Sequence, residues 1–187
     1  MVRPGRDRLN GLIEVDEIFI GGPRPGKRGR GAAGKDLVLI AAQVDGKRIG
    51  RIRLCCIPDA TATSLGTAIC ASVEPGSLIH TDDWKGYHGL SALNYRHRVI
   101  RHEAHVGDNL LPMANMVASL LKRWLLGTHQ GAVRPSYLEY YLDEYTFRFN
   151  RRTSRSRGLL FYRLLQQAVA LKPLKGKNLA ILPVVLT

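Results

Sequence analysis

Apolar and polar residues are arranged along the first third of the chain in a pattern that predicts three strands. The run Leu12–Ile20 is rich in β-branched residues and lies between glycines, which is typical of a central strand. The segment Asp36–Val44 is almost continuously apolar, which predicts a strand covered on both faces. A turn at Asp45-Gly46 leads into Arg48–Leu54, where basic and apolar residues alternate. We therefore expect an antiparallel meander of three strands.

The later patterns predict helices and two further strands. Ser77–Asp83 follows a predicted helix over about residues 58–73, so it should join the meander as a parallel strand through a right-handed crossover. Tyr95–His102 predicts a fifth strand. Three more helices are expected: 110–126, capped by Asp108 or Asn109, then 136–150, and finally 159–171, which is apolar enough to dock on the body.

Three acids interrupt the apolar pattern of the first strand. Alternation places Glu14 and Asp16 on one face of the strand and Glu17 on the other. A buried carboxylate is costly unless a cation meets it. The strand therefore predicts either an aspartate held for a metal ion or an edge strand with a solvated acidic face.

Composition narrows the class of protein. At 187 residues the chain fits one domain, and its net charge of +13 with a pI near 10.2 predicts a polyanionic partner, either nucleic acid or an anionic membrane surface. No apolar stretch reaches the length of about 18 residues that spans a bilayer, and the start lacks a signal-peptide core. Cys55, Cys56 and Cys70 form no CxxC pair. We expect a reduced, cytoplasmic protein that faces nucleic acid.

Basic residues are concentrated in a glycine-rich loop over residues 23–34 and directly after the predicted 136–150 helix. Such clusters are suited to following a phosphate backbone, although a solvated linker explains the loop equally well. The candidate DNA-contacting residues in these clusters are Arg24, Lys27, Arg28, Arg30, Arg148, Arg151, Arg152, Arg155 and Arg157.

The order of elements, with an acid inside the first strand, an acid after the fourth and a polar group on a later helix, is the layout of a ribonuclease H-like fold. This α/β fold has a mixed sheet of three antiparallel strands plus parallel additions, with flanking helices. Its chemistry uses two Mg²⁺ ions roughly 3.5–4 Å apart on rigid carboxylates. Asp16 and Asp82 are the candidate carboxylates, and Asn115 is the candidate polar group.

Four blocks of sequence resemble the bacterial insertion-sequence transposases of the ISXO type, which are related to the Merlin transposons and belong to the DDE superfamily. The resemblance extends over about residues 3–171. The blocks are Gly11–Glu17, Thr81–Tyr87, Ser119–Gly131 and Tyr141–Arg152.

This resemblance implies a catalytic domain over residues 11–171, between a basic lead-in (1–10) and a short tail (172–187). It implies Mg²⁺-dependent cleavage at transposon ends, with Mn²⁺ as an alternative ion, and strand transfer into target DNA. The implied partner is double-stranded DNA in a bacterial, nucleoid-associated setting, with a homodimer assembled on the DNA and no membrane.

Carried over by position, Asp16 and Asp82 are the first and second metal-binding carboxylates, and Asn115 takes the third position. Lys122 matches a basic residue on the same helix face, where it would hold a phosphate beside Arg123. Asp83 is the weaker alternative to Asp82, because the family's acid directly follows the threonine. Glu14 and Glu17 are expected to be supporting or exposed rather than ligands.

The family usually carries an amino-terminal zinc-binding and helix-turn-helix region ahead of Arg3-Pro4-Gly5-Arg6, where this sequence starts. We therefore expect a catalytic core without that DNA-recognition region. Two alternatives stay open: an inactive DNA-binding remnant of a transposase, and another ribonuclease H-like nuclease such as a junction resolvase.

Overall fold

A computed structural model describes residues 7–21, 35–101, 110–130 and 133–170 of the chain. Within these ranges the polypeptide forms five strands and four α-helices, with two short 3₁₀ turns, Lys85–Tyr87 and Leu90–Leu93, between the fourth and fifth strands. The elements are β1 (Leu12–Ile20), β2 (Asp36–Asp45), β3 (Arg48–Ile57), α1 (Ala62–Ser72), β4 (Leu78–Thr81), β5 (Arg96–Val99), α2 (Pro112–His129), α3 (Pro135–Asn150) and α4 (Arg157–Ala170).

The five strands lie in one mixed sheet in the order β3-β2-β1-β4-β5. The pairs β1–β2 and β2–β3 are antiparallel, whereas β4 pairs with β1 and β5 pairs with β4 in parallel. This confirms the predicted meander with parallel additions. Because β1 is the middle strand, the alternative of an edge strand with a solvated acidic face is wrong.

The alternation of side chains along β1 sends neighbouring residues to two different cores. Ile18 packs with α2 and α3 on one face of the sheet. Val15 packs with α1 and the 3₁₀ turns on the other face. By the same alternation, Glu14 and Asp16 lie on the α2 face and Glu17 lies on the α1 face. The fold thus assigns each acid of β1 to a defined side of the sheet.

Side chains of α3 and the residues after it cover the outer edge of β3. The Asn150 amide accepts a hydrogen bond from the Ile52 N–H at 2.7 Å and donates one to the Ile52 carbonyl at 3.0 Å. The Glu139 carboxylate accepts from the Cys56 N–H at 2.9 Å, and the Arg152 guanidinium donates to the Gly50 carbonyl at 3.2 Å. An edge strand whose backbone groups are paired in this way resists pairing with other chains.

Replacing Asn150 with alanine is expected to lower the free energy of unfolding by about 2 kcal/mol, because the Ile52 N–H and carbonyl both lose their partner at this edge. Urea denaturation measures the change. Arg155→Ala, at an exposed position five residues further on, is the control and should stay within about 0.5 kcal/mol of the parent. Equal effects of the two substitutions would contradict the bridging role of Asn150.

The helix α4 does not dock on the body as the sequence predicted. Its apolar side chains are largely exposed, with 59% of Leu159, 65% of Phe161 and 83% of Val169 accessible. Among residues 157–169, only Leu160, Leu164 and Gln167 are partly buried, and none is fully buried. The docking prediction is therefore wrong for the part of α4 that the structure describes.

Several predicted features lie outside the described residues. They are the basic loop 23–34, the caps Asp108 and Asn109, residue 171 and the tail 172–187. In the described part of the chain, no helix combines the length and the apolar character needed to cross a membrane.

Candidate active site

The parallel pairing of β1 with β4 brings two aspartates side by side. Glu14 is in register with His80, and continuing this register by two residues sets Asp16 beside Asp82, just past the end of β4. Both aspartates then lie on the α2 face. Their charges also reach the buried Tyr87 hydroxyl, whose pKa is raised chiefly by burial, then by Glu17, and further by Asp16 and Asp82. Register and electrostatics therefore place the two carboxylates at one point of the sheet.

Backbone N–H groups orient both carboxylates. The Oδ1 atom of Asp16 accepts from the Glu17 N–H at 2.9 Å, and the Oδ1 atom of Asp82 accepts from the Trp84 N–H at 3.1 Å. Both side chains are half-buried. Two oriented carboxylates on neighbouring strands supply the hard oxygen atoms that Mg²⁺ prefers.

Asp83 is engaged elsewhere. Its carboxylate is exposed and pairs with the Arg101 guanidinium at 3.2 Å, and it lies 3.6 Å from the His88 imidazole. It therefore faces Arg101 and His88 at the surface, whereas Asp82 follows the register of Asp16. This difference favours Asp82 over Asp83 as the second candidate ligand.

A carboxylate from the central strand holds the start of α2. The Oε2 atom of Glu14 accepts from the Met113 N–H at 2.7 Å and from the Ala114 N–H at 2.9 Å. The N-cap residue of this helix, Leu111, offers no side-chain hydrogen bond, so Glu14 provides what a local cap normally provides. Burial raises the pKa of Glu14, and the two backbone hydrogen bonds oppose that shift.

The third candidate ligand directly follows these anchored residues. Asn115 lies in the first turn of α2 and is half-buried, and α2 packs over β1 and β2. Lys122 is exposed and lies seven residues further on, roughly 10 Å along the helix axis. Thus Asp16 and Asp82 are neighbours, and Asn115 lies on the helical turn that Glu14 holds. Lys122 lies further along the same helix, away from these three residues.

Glu17 and Tyr87 form a buried pair on the other face of β1. The Tyr87 hydroxyl donates to the Glu17 carboxylate, and Tyr87 is fully buried. Glu14 and Glu17 are both at most 9% exposed, so the alternative that they are exposed is wrong, and their supporting role stays a prediction. Nothing in the sequence indicates that Glu17 bonds to Tyr87 or that Glu14 bonds to the start of α2, because these partners are far apart along the chain.

The predicted DNA-contacting arginines at the end of α3 and after it differ in their contacts. Arg151 stacks on the Phe147 ring at 3.9 Å and Arg152 on the Phe149 ring at 4.1 Å, so both help to hold the end of α3. Arg148 is exposed but pairs with Glu144 at 2.6 Å. The exposed basic candidates that remain in the described ranges are Lys122, Arg123, Arg155 and Arg157. Arg24, Lys27, Arg28 and Arg30 lie outside these ranges.

The donor set suits a hard divalent cation. Among the described residues, no group of three or more His, Cys, Asp or Glu side chains has the geometry of a metal site. The candidate set therefore consists of two carboxylates, Asp16 and Asp82, with the neutral amide of Asn115. Because all three offer oxygen atoms, they fit Mg²⁺ or Mn²⁺ better than a thiophilic metal.

The mixed sheet of three antiparallel strands with two parallel additions and flanking helices is a ribonuclease H-like fold. The chain belongs to the family of ISXO2-like transposase domains, whose family model matches residues 8–150. This confirms the resemblance and the fold class that were predicted from the sequence.

One solved structure with the same fold is the cryo-electron microscopy structure of the simian T-cell lymphotropic virus intasome in complex with PP2A regulatory subunit B56 gamma. The TM-score is 0.50 at 15% sequence identity, with 99% of this chain and 59% of that chain covered. At this identity the likeness concerns the fold alone. A comparison with curated protein sequences gives no significant match.

Proposed function

We propose that residues 11–171 form the catalytic core of a transposase that cuts DNA at transposon ends and transfers the cut strand into target DNA, with divalent metal ions as cofactors. The observation that carries this proposal is the juxtaposition of Asp16 and Asp82 across the parallel β1–β4 pair. Membership of a transposase family supports the reaction class, and the all-oxygen donor set supports the choice of Mg²⁺ or Mn²⁺.

In this proposal Asp16, Asp82 and Asn115 hold the metal ions. When bound, such ions activate the attacking oxygen and stabilise the leaving oxygen of the phosphodiester. Glu17 and Trp84 fix the two carboxylates through their backbone N–H groups, so the acids need little reorganisation before the reaction.

Basic side chains hold the DNA in this proposal. Lys122 contacts a phosphate as a point charge, and Arg123 supports it on the same helix. Arg148, in the last turn of α3, and Arg155 and Arg157 after this helix add to the basic surface, while Arg151 and Arg152 act chiefly in packing. Two copies of the chain would act together, because a transposon has two ends to be cut and joined.

The proposal is tested by comparing two neighbouring aspartates. Asp82→Asn should reduce Mg²⁺-dependent nicking of double-stranded DNA by a factor of about 10³, since losing a metal-binding carboxylate removes several kcal/mol of transition-state stabilisation. Asp83→Asn changes the charge equally at an exposed position that pairs with Arg101, so it is the matched control and should stay within a few-fold of the parent.

Three outcomes would count against the proposal. Nicking that persists in chelator would exclude a metal-dependent core. Equal losses in Asp82→Asn and Asp83→Asn would remove the special role of Asp82. Salt-sensitive DNA binding without cleavage under Mg²⁺ or Mn²⁺ would favour the alternative of an inactive DNA-binding remnant.

A further inference from the structure

The strand β5 carries two arginines on the face of the sheet that holds the candidate acids. Arg96 is in register with Leu78, and Arg98 is in register with His80. Residues paired across parallel strands face the same side, and Asp82 lies two residues after His80 on that side. From strand geometry, the Cα atoms of Arg98 and Asp82 are separated by roughly 8 Å. An arginine side chain spans most of such a distance.

The described helices pack mainly on the other half of this face of the sheet. The helix α2 packs over β1 and β2, and α3 packs against β3, so the main helix contacts on this face lie away from β4 and β5. Arg96 and Arg98 are both exposed. The surface of the sheet beside the acids therefore includes the two exposed arginines of β5.

Within the described ranges, no acid pairs with either of these two arginines, whereas Arg101 pairs with Asp83 and Arg148 pairs with Glu144. The pKa of the neighbouring His80 is lowered by burial and, to a smaller extent, by the charge of Arg98, which agrees with the two side chains lying on one face. Arg98 therefore lies next to the acidic pair, and Arg96 lies two residues further from it on the same face of β5.

Arginines near the two carboxylates would offset the repulsion between these acids and the DNA backbone, which the proposed function requires. A phosphodiester that approaches two carboxylates is repelled, and nearby guanidinium groups offset that repulsion while binding phosphate oxygens in a bidentate manner. We propose that Arg96 and Arg98 form a phosphate ledge that binds the backbone of double-stranded DNA next to Asp16 and Asp82. This proposal rests on the proposed function, and it adds a DNA-contacting surface from β5.

The experiment measures the affinity for a fluorescein-labelled DNA duplex of random sequence by anisotropy, in Ca²⁺ and over a range of salt concentrations. The Arg96→Ala/Arg98→Ala double variant should bind roughly tenfold or more weakly. The slope of log K against log salt should fall in magnitude by about 2, since each phosphate contact contributes about 0.9. A charge-matched control is Lys47→Ala/Arg48→Ala, which removes two exposed cations at the β2–β3 turn, on the other side of β1 from β5.

The outcomes separate this inference from the proposed function. If the parent cleaves DNA with Mg²⁺ but the double variant keeps its affinity and salt slope, the phosphate ledge is refuted and the proposed function stands. If the parent binds DNA without cleaving it and the double variant still loses affinity and slope, the ledge stands and the proposed function fails. An equal loss in Lys47→Ala/Arg48→Ala would also refute the ledge, because the effect would then follow net charge alone. Arg96→Lys/Arg98→Lys should recover most of the salt slope, and its failure to do so in a folded variant would count against simple phosphate binding.

Discussion

Asp16→Asn is expected to lower Mg²⁺-dependent DNA cleavage by roughly 10³-fold while the protein stays folded. The substitution keeps the shape of the side chain and an oxygen atom that accepts from the Glu17 N–H. It removes the negative charge that would hold a divalent ion, and such a loss costs several kcal/mol in the transition state. Single-turnover cleavage of a labelled duplex, with circular dichroism as a check on folding, measures the effect.

Two further variants sharpen this expectation. Glu17→Gln removes a charge from the adjacent residue, which faces the other side of the sheet and bonds to Tyr87, so cleavage should change by no more than a few-fold. Asp16→Cys replaces a hard oxygen ligand by a softer sulfur, so activity should be lost in Mg²⁺ and partly recovered in Mn²⁺. An Asp16→Asn protein that cleaves DNA as fast as the parent would exclude Asp16 from the metal site.

The central part of the fold follows from local patterns in the sequence. The run Leu12–Ile20 has strand composition between glycines, and the observed β1 occupies the same residues. The right-handed crossover rule predicts that the strand after α1 returns in parallel, as β4 does. Once these two strands pair, the position of the acid pair is a consequence of register. Local sequence patterns and the general rules of sheet topology are therefore enough to predict both the sheet and the location of the candidate site.

What the sequence did not predict depends on contacts between distant segments. Glu14 meets Met113 and Ala114 across about a hundred residues, so no local pattern marks it as the partner of α2. The prediction instead looked for a cap at Asp108 or Asn109, which lie outside the described residues. A sharper signal was present: Pro112 suits the first helical position, which makes Leu111 the N-cap and leaves the helix without a local acceptor.

The arginines after α3 and the helix α4 show the same limit. Composition marks Arg152 as basic, but only the fold shows that it stacks on Phe149 and donates to the Gly50 carbonyl. Composition also marks α4 as apolar, but docking requires a complementary surface on the rest of the domain, which composition does not reveal. Charge and hydrophobicity can be read from each residue, whereas ion pairing, stacking and docking depend on which residues the fold brings together.

The contact of Glu14 with α2 leads to a second large expected effect. Glu14→Ala should lower the free energy of unfolding by about 2 kcal/mol, because the N–H groups of Met113 and Ala114 lose their acceptor. It should also lower the cleavage rate at saturating DNA by roughly tenfold, since a small misplacement of a site residue costs about that much or more. The reason is that Asn115 directly follows the released turn.

A structural role alone would lower stability without changing the rate of the folded protein, so a matched variant separates the two effects. Glu139→Ala removes a carboxylate that similarly accepts from a backbone N–H, that of Cys56, but at the β3 edge. It should reduce stability and leave the rate at saturating DNA unchanged at temperatures where the protein is folded. Glu14→Gln keeps an acceptor oxygen and should restore most of the rate and stability lost in Glu14→Ala. If Glu14→Ala and Glu139→Ala affect the rate equally, Glu14 does not position Asn115. If Glu14→Gln recovers the rate, an oxygen acceptor at position 14 is enough to hold the turn that bears Asn115. The geometry of the candidate site then depends on Glu14 through its hydrogen bonds and not through its charge.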